Sequence, residues 1–414
     1  MSSNSLADQP KPTFPRVTRR RVFRTFLVLL LVSLSVLATF LLQKWRTNTV
    51  MGTPPQVFSG PWGDLQVWNV SLEQPSEYVA FESTTSQGPL WNFGPISLND
   101  LQSLLLKCGC TSAQAQSLLA SQVPANDGVK VIKPAESAIL ELGAQTRSEL
   151  YLALAKLPGN RFQTAPYLIP EDGLARMATR KFQRPGEVVK LMEKLVYFRN
   201  GYTYFSDPQV VLGHLKAEER LEFFKALTSL DVVMARILLK PDSNIDTPAI
   251  YWSLTMNGVM IKDLRTIFEA QKQLPDGSSV SIMYVLPPLA REHLYTTPLP
   301  PENGEKLPDC HWTALNYFNA TPDPKLSDTT YATQYLAENY YQIGQPSLAG
   351  DLVLLLDSQN KVIHSSVYLA ADIVFTKNGI NLGQPWVLMH EKDMIGLFSA
   401  LEPAKPIYMR RKDR

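Results

Sequence analysis

The stretch from Asp309 to Gly379 restricts the fold of this chain more than any other. It begins DCHWTALNYF, where Asp309 can cap a helix that opens at Cys310 and continues to Thr321-Pro322. GDLVLLLD follows at 350–357, a Gly-Asp entering an apolar strand. KVIHSSVYLAADIVFTKNG then occupies 361–379, with His364 early on a second strand, a tight turn near Ala370-Ala371-Asp372 and a return strand. Apolar strands joined by such short turns pair antiparallel and need a covered face, so the cysteine helix is expected to pack on the sheet.

The N-terminus poses a second constraint. Thr25 to Leu42 is uncharged and mostly apolar, with Arg19, Arg20, Arg21 and Arg24 before it and Lys44 and Arg46 after. With Val22 and Phe23 the span approaches the ~20 residues that cross a bilayer as a helix. Basic residues are in excess ahead of it, an arrangement that keeps residues 1–21 cytoplasmic and exports the body. The expectation is therefore a single-pass anchor at 22–42 in the inner (cytoplasmic) membrane. A cleaved signal peptide is the competing reading; the long apolar run and the lack of a small-residue cleavage site before Gln43 speak against it.

Net charge is +2, and eight of the 40 Lys and Arg lie in the first 46 residues beside one acid, which leaves a mildly acidic body. A nucleic-acid partner is not expected from such a body. Three cysteines cannot build a disulfide framework. Cys108 and Cys110 sit in LKCGCTS, far from further His or Cys, and read as turn residues or a strained local disulfide rather than a metal site. With no HExxH and no glycine-rich phosphate loop, neither a metal nor a cofactor is expected.

Along the chain, 43–60 reads as a linker rich in Pro, Gly, Ser and Thr, and 61–97 as a small β-containing lead-in with extended patterns in LQVWNVSL and YVAFES. Residues 98–286 read as a largely helical middle region with short strands. Helical spacing runs through 98–121, with Thr111 or Ser112 as a cap, and through 134–157, 186–197, 216–230 and 260–274. Asn200-Gly201 between aromatic arms signals a hairpin, and SVSIMYVL at 279–286 a buried strand. Residues 287–414 form the last domain. The fold class expected is α+β.

The chemistry expected there starts from Cys310, since a helix N-terminus favours a thiolate. Of the five histidines, His311 follows the cysteine directly and projects about 100° away on a helix, which leaves His364 as the base. Thr376 or Asn378 would orient the imidazole; strand alternation puts both on one face, with Phe375 and Lys377 on the other. His390 reads as a helix-start surface residue, Trp312 and Trp386 as core, and the basic run Arg410, Arg411, Lys412, Arg414 as a solvated end.

The order of Cys310 on a helix, Gly350-Asp351 on one strand, His364 on the next and Thr376 twelve residues later resembles the NlpC-type papain-like cysteine peptidases of bacterial cell walls. The resemblance covers about 295–380. His311-Trp312 stands where that family carries small residues, and is similar to the related CHAP amidases; the family's third histidine is absent. The resemblance implies a papain-like domain that hydrolyses an amide in peptidoglycan stem peptides, or another peptide, through a Cys310–His364 pair and an acyl-thiol intermediate. A catalytically degenerate envelope binding or scaffold protein and an acyltransferase on the same fold are the alternatives. A transglutaminase ranks lower, because Asp372 lies too close to His364.

Overall fold

The computed structural model of the chain describes residues 54–83, 88–256, 261–275, 277–300 and 306–413. The compact unit is Pro55–Arg414. The span expected to cross a membrane lies outside the described residues, and among these no helix is long and apolar enough to do so. The expected fold class is corrected accordingly: the structure is a mixed α/β body with several sheets and no membrane-crossing helix among its described residues.

The middle region is corrected as well. Leu230–Leu239 is a ten-residue strand (β3) that pairs from Leu230 to Leu238 with β2, Gly63–Leu72, from the lead-in. Its sequence, LDVVMARILL, buries nearly every second residue, the period of a strand with one covered face. With β1, Gln56–Gly60, and β4, Ser278–Ser281, it makes an antiparallel sheet in the order β1-β2-β3-β4. Lead-in and middle region thus share one sheet. YVAFES, read as extended, belongs to the helix Ser76–Ser83, and the strand expected over 279–286 stops at Ser281 and gives way to a 3-10 turn, Ile282–Val285.

Local signals elsewhere appear where the chemistry put them. Thr111 caps the helix Ser112–Ala120 in a capping box with Gln114. Asn200 and Gly201 both adopt positive φ, 52° and 89°, and join Tyr197–Arg199 to Tyr202–Phe205 in a hairpin. The long helix expected over 134–157 is two, Glu136–Glu141 and Ala144–Ala155, because Leu142 and Gly143 turn extended between them. Helices of this region close over one apolar core that includes Trp91, Leu105, Leu150, Met192 and Phe223. Cys108 and Cys110 are buried at its edge as free thiols.

The last domain carries a six-stranded antiparallel sheet. Its strands are β5 Tyr340–Ile343, β6 Leu352–Leu356, β7 Val362–Ala370, β8 Ile373–Lys377, β9 Trp386–His390 and β10 Lys405–Arg411, in the order β5-β10-β6-β7-β8-β9. Ala371, at φ 53°, makes the tight turn between β7 and β8. Arg410 and Arg411 of the basic C-terminal run are thus paired in a strand rather than solvated: Arg410 lies opposite Tyr341, and Arg411 opposite Tyr340, while Arg414 lies outside the described residues. The segment before Cys310 seals the β9 edge, Tyr295 N–H donating to Trp386 O at 2.7 Å and Trp386 N–H to Thr296 O at 3.1 Å.

Two apolar layers sandwich the sheet. Leu352, Leu354, Val367, Phe375 and Leu388 face a core shared with β2, β3 and the cysteine helix. Val353, Leu355, Val374, Val387 and Met389 face a second layer with Met394 of the helix Glu391–Phe398.

Candidate active site

The helix Cys310–Leu315 begins as its sequence requires. Asp309 caps it, its carboxylate accepting from Trp312 N–H at 2.7 Å. Thr313, one turn on, accepts from Trp386 Nε1 at 3.0 Å, which ties the helix to β9. Cys310 is only 8 % exposed. Burial pushes its thiol up to about 11, against the pull of the neighbouring backbone of Ser365, which meets the sulfur. The cysteine therefore touches β7 one residue past His364.

His364 is fully buried, at the point where β7 bulges against β6 between Leu355 and Leu356. Its ring stacks on Phe398, centroids 4.1 Å apart. Nε2 lies 2.8 Å from Thr376 Oγ1, and the Thr376 hydroxyl donates to Asn378 Oδ1 at 3.1 Å. That chain of bonds fixes the tautomer by elimination. The threonine proton is committed to Asn378, so Thr376 must accept from Nε2–H, and Nδ1 keeps a lone pair. Nδ1 is buried with no hydrogen-bond partner. Burial, with His311 nearby, lowers the imidazole to about 3, so it rests neutral.

The structure thus brings His364, Thr376 and Asn378 into one hydrogen-bonded row, the two orienting residues acting in series. Cys310 reaches the row through the backbone of Ser365; His364 makes no hydrogen bond to the thiol, since Nε2 is taken and Nδ1 is unpartnered. Phe375 and Lys377 occupy the other face of β8, as alternation requires.

His311 turns from the thiol to Ser365, Nδ1 to Oγ 2.7 Å, and burial lowers its basicity. Gly350-Asp351 has a structural task. Gly350, at φ 103°, passes so close to the Phe318 ring that a Cβ would sit 2.1 Å from it. Asp351 accepts from Ser347 N–H and Leu348 N–H and is clamped through both oxygens by Arg410.

His390 is corrected from a surface position to a buried brace. Nδ1 meets Asp372 at 2.9 Å and Nε2 meets Asn69 Oδ1 of β2 at 2.9 Å, and the bond to Asp372 raises its pKa. Of the others, His214 pairs with Glu136 on the surface and His293 stacks on Trp386. Trp386 is core, and Trp312 packs partly buried against it. No group of His, Cys, Asp and Glu able to hold a metal occurs among the described residues.

Lys377 is the residue that sequence reasoning passed over. It is fully buried, and Nζ donates to Gly379 O at 2.6 Å and Asn381 O at 3.4 Å beside the Trp386 ring. Burial pulls the amine down to about 8, against Cys310 and Asp309, which raise it. A lysine closing the apolar run IVFTK, on the face opposite Thr376, was the available signal.

No family model matches the chain, and neither a curated protein nor a solved structure matches it.

Proposed function

We propose that the last domain is a papain-like cysteine hydrolase of peptide amide bonds, with Cys310 as nucleophile and His364 as base. The observation that carries the reading is the unpartnered Nδ1 of His364, a buried lone pair one residue from the backbone that meets the thiol. A buried acceptor without a donor costs about 1–3 kcal/mol, and a proton to receive gives it a purpose.

In this reaction the S–H bond of Cys310 breaks, the proton passes to Nδ1, and the sulfur bonds to the substrate carbonyl carbon. The imidazolium returns the proton to the departing amine, which leaves a thioester on Cys310 for water to open. Thr376 and Asn378 hold the ring while its charge changes. Thiol and imidazole both rest neutral and lie on opposite faces of β7, either side of Ser365, so the transfer requires the bulge beside His364 to turn the ring toward the cysteine helix as substrate arrives.

Peptidoglycan stem peptides as substrate rest on the resemblance of the motif alone. A degenerate binding module is the second reading, favoured by the burial of Cys310 and its thiol pushed up to about 11. The experiment incubates the full chain and its Cys310→Ala variant with purified peptidoglycan fragments and reads products by mass spectrometry. Gain of one water across an amide, lost in the variant, supports the hydrolase. Intact fragments retained equally by both folded proteins support the binding module, and an acyl group passed to an added amine identifies a transferase.

A further inference from the structure

We propose that Lys377 is the counter-charge of the Cys310 thiolate, a cation placed under the nucleophile from the sheet face opposite the His364 row. The inference rests on Cys310 being the nucleophile proposed above. Two physical arguments lead to it.

The first is placement. Lys377 pairs with Trp386 across β8 and β9, and its Nζ lies 5.5 Å from the Trp386 ring centroid. The Trp386 indole is bonded to Thr313, one helical turn past Cys310. The lysine therefore lies beside the start of the cysteine helix, where Cys310, once ionised, and the Asp309 carboxylate raise its basicity.

The second is the count of its hydrogens. An ammonium has three N–H donors, and two go to Gly379 O and Asn381 O. No acid forms an ion pair with it among the described residues. A fully buried lysine without a carboxylate partner is expensive. Anchoring the 378–385 loop explains two hydrogen bonds and leaves the charge facing only the Asp309 carboxylate, which caps the cysteine helix and forms no ion pair with it. A thiolate formed beside it would explain the charge: the proton leaves Sγ for His364 Nδ1, Nζ keeps its three protons, and the new negative charge meets a fixed positive one in a site without bulk water.

The test is the rate of Cys310 alkylation by iodoacetamide from pH 6 to 10, followed at this residue by peptide mass spectrometry in the full chain. Lys377→Met is expected to slow alkylation at pH 7 at least tenfold, and Lys377→Arg to restore most of the rate. In the wild type the approach to the thiolate is expected to be shallower than a single-proton curve between pH 7 and 9, as the lysine discharges. An unchanged rate in Lys377→Met overturns the proposal. So does a plain single-proton curve in the wild type, which decides the matter if the Met variant does not fold. Alkylation reads charge coupling whether or not a peptide is cleaved, so this result stands apart from the fragment assay.

Discussion

The seam between the two sheets and the cysteine site each bury an imidazole, and they treat it in opposite ways. At the seam, His390 has a carboxylate on one nitrogen and the Asn69 amide oxygen on the other. Two acceptors demand two N–H donors, so the protein holds an imidazolium there and joins β9 to β2 with it. At the site, His364 meets a hydroxyl whose proton is already spent, stacks on Phe398 and leaves Nδ1 bare. A shifted pKa occurs at both. What separates a brace from a base is the unfilled nitrogen, so that atom is a better guide to chemistry than the size of a shift.

The sharpest way to break the comparison is to remove each ring. His364→Ala is expected to lower amide turnover about 10²–10⁴-fold, the usual worth of a positioned base; His390→Ala, measured in the same fragment assay, should retain turnover wherever it remains folded. Equal losses in both would erase the distinction.

Next in size is Gly350→Ala, where a Cβ meets the Phe318 ring in a backbone conformation that alanine resists. Overpacking and strain together should cost about 2–5 kcal/mol in a urea unfolding curve. A near-neutral result would remove the structural account of the Gly-Asp motif.

Thr376→Val sharpens the comparison from the other side. It leaves Nε2–H buried and unpaired, at about 1–3 kcal/mol. Neither ring nitrogen then has a partner, so the Nε2–H tautomer loses its preference and the ring its tether, and turnover should drop by roughly tenfold for each 1.36 kcal/mol of positioning lost. Imidazole nitrogen NMR shifts would report the exchange directly, and an unchanged tautomer would contradict the assignment.

The smallest effects are in the pH dependence of stability, where the two rings should have opposite signs. His364 folds neutral with its pKa lowered to about 3. From there to about 6.5, its ordinary value, the unfolded chain binds more protons and stability rises with pH. His390 is raised by Asp372, so its contribution is whole below about 6.5 and is lost as pH rises through the folded value. Asp372→Asn should flatten the urea profile above about 6.5 and leave the His364 rise in place; because His390 holds the Asp372 carboxyl low, the variant also loses that carboxylate's own contribution at the acid end. A profile unchanged above about 6.5 would mean that the two imidazoles had been assigned the wrong way round.

Much of this was legible in the chain, and the reasons for the rest are physical. The capped cysteine helix, the two strands around His364 and the turn at Ala371 follow from local patterns over a few residues. The pairing of β2 with β3 does not, because its partners are separated by some 160 residues and no local signal encodes such a contact. Alternation along β8 sorted Thr376 and Asn378 from Lys377, but could not say which group each face would meet. His390 misled for a similar reason: Asn69, which buries it, comes from the far sheet. Gly350-Asp351 entered through its likeness to a motif, and only the Phe318 ring and Arg410 reveal its packing role.

The most direct test of the account is the intact mass of the protein quenched in acid during turnover of a peptidoglycan stem peptide. An adduct equal to the acyl half of the peptide is expected, mapped to Cys310 and absent from Cys310→Ala. Cleaved peptide with no adduct in the quenched wild type, and cleavage that persists in Cys310→Ala, would contradict it.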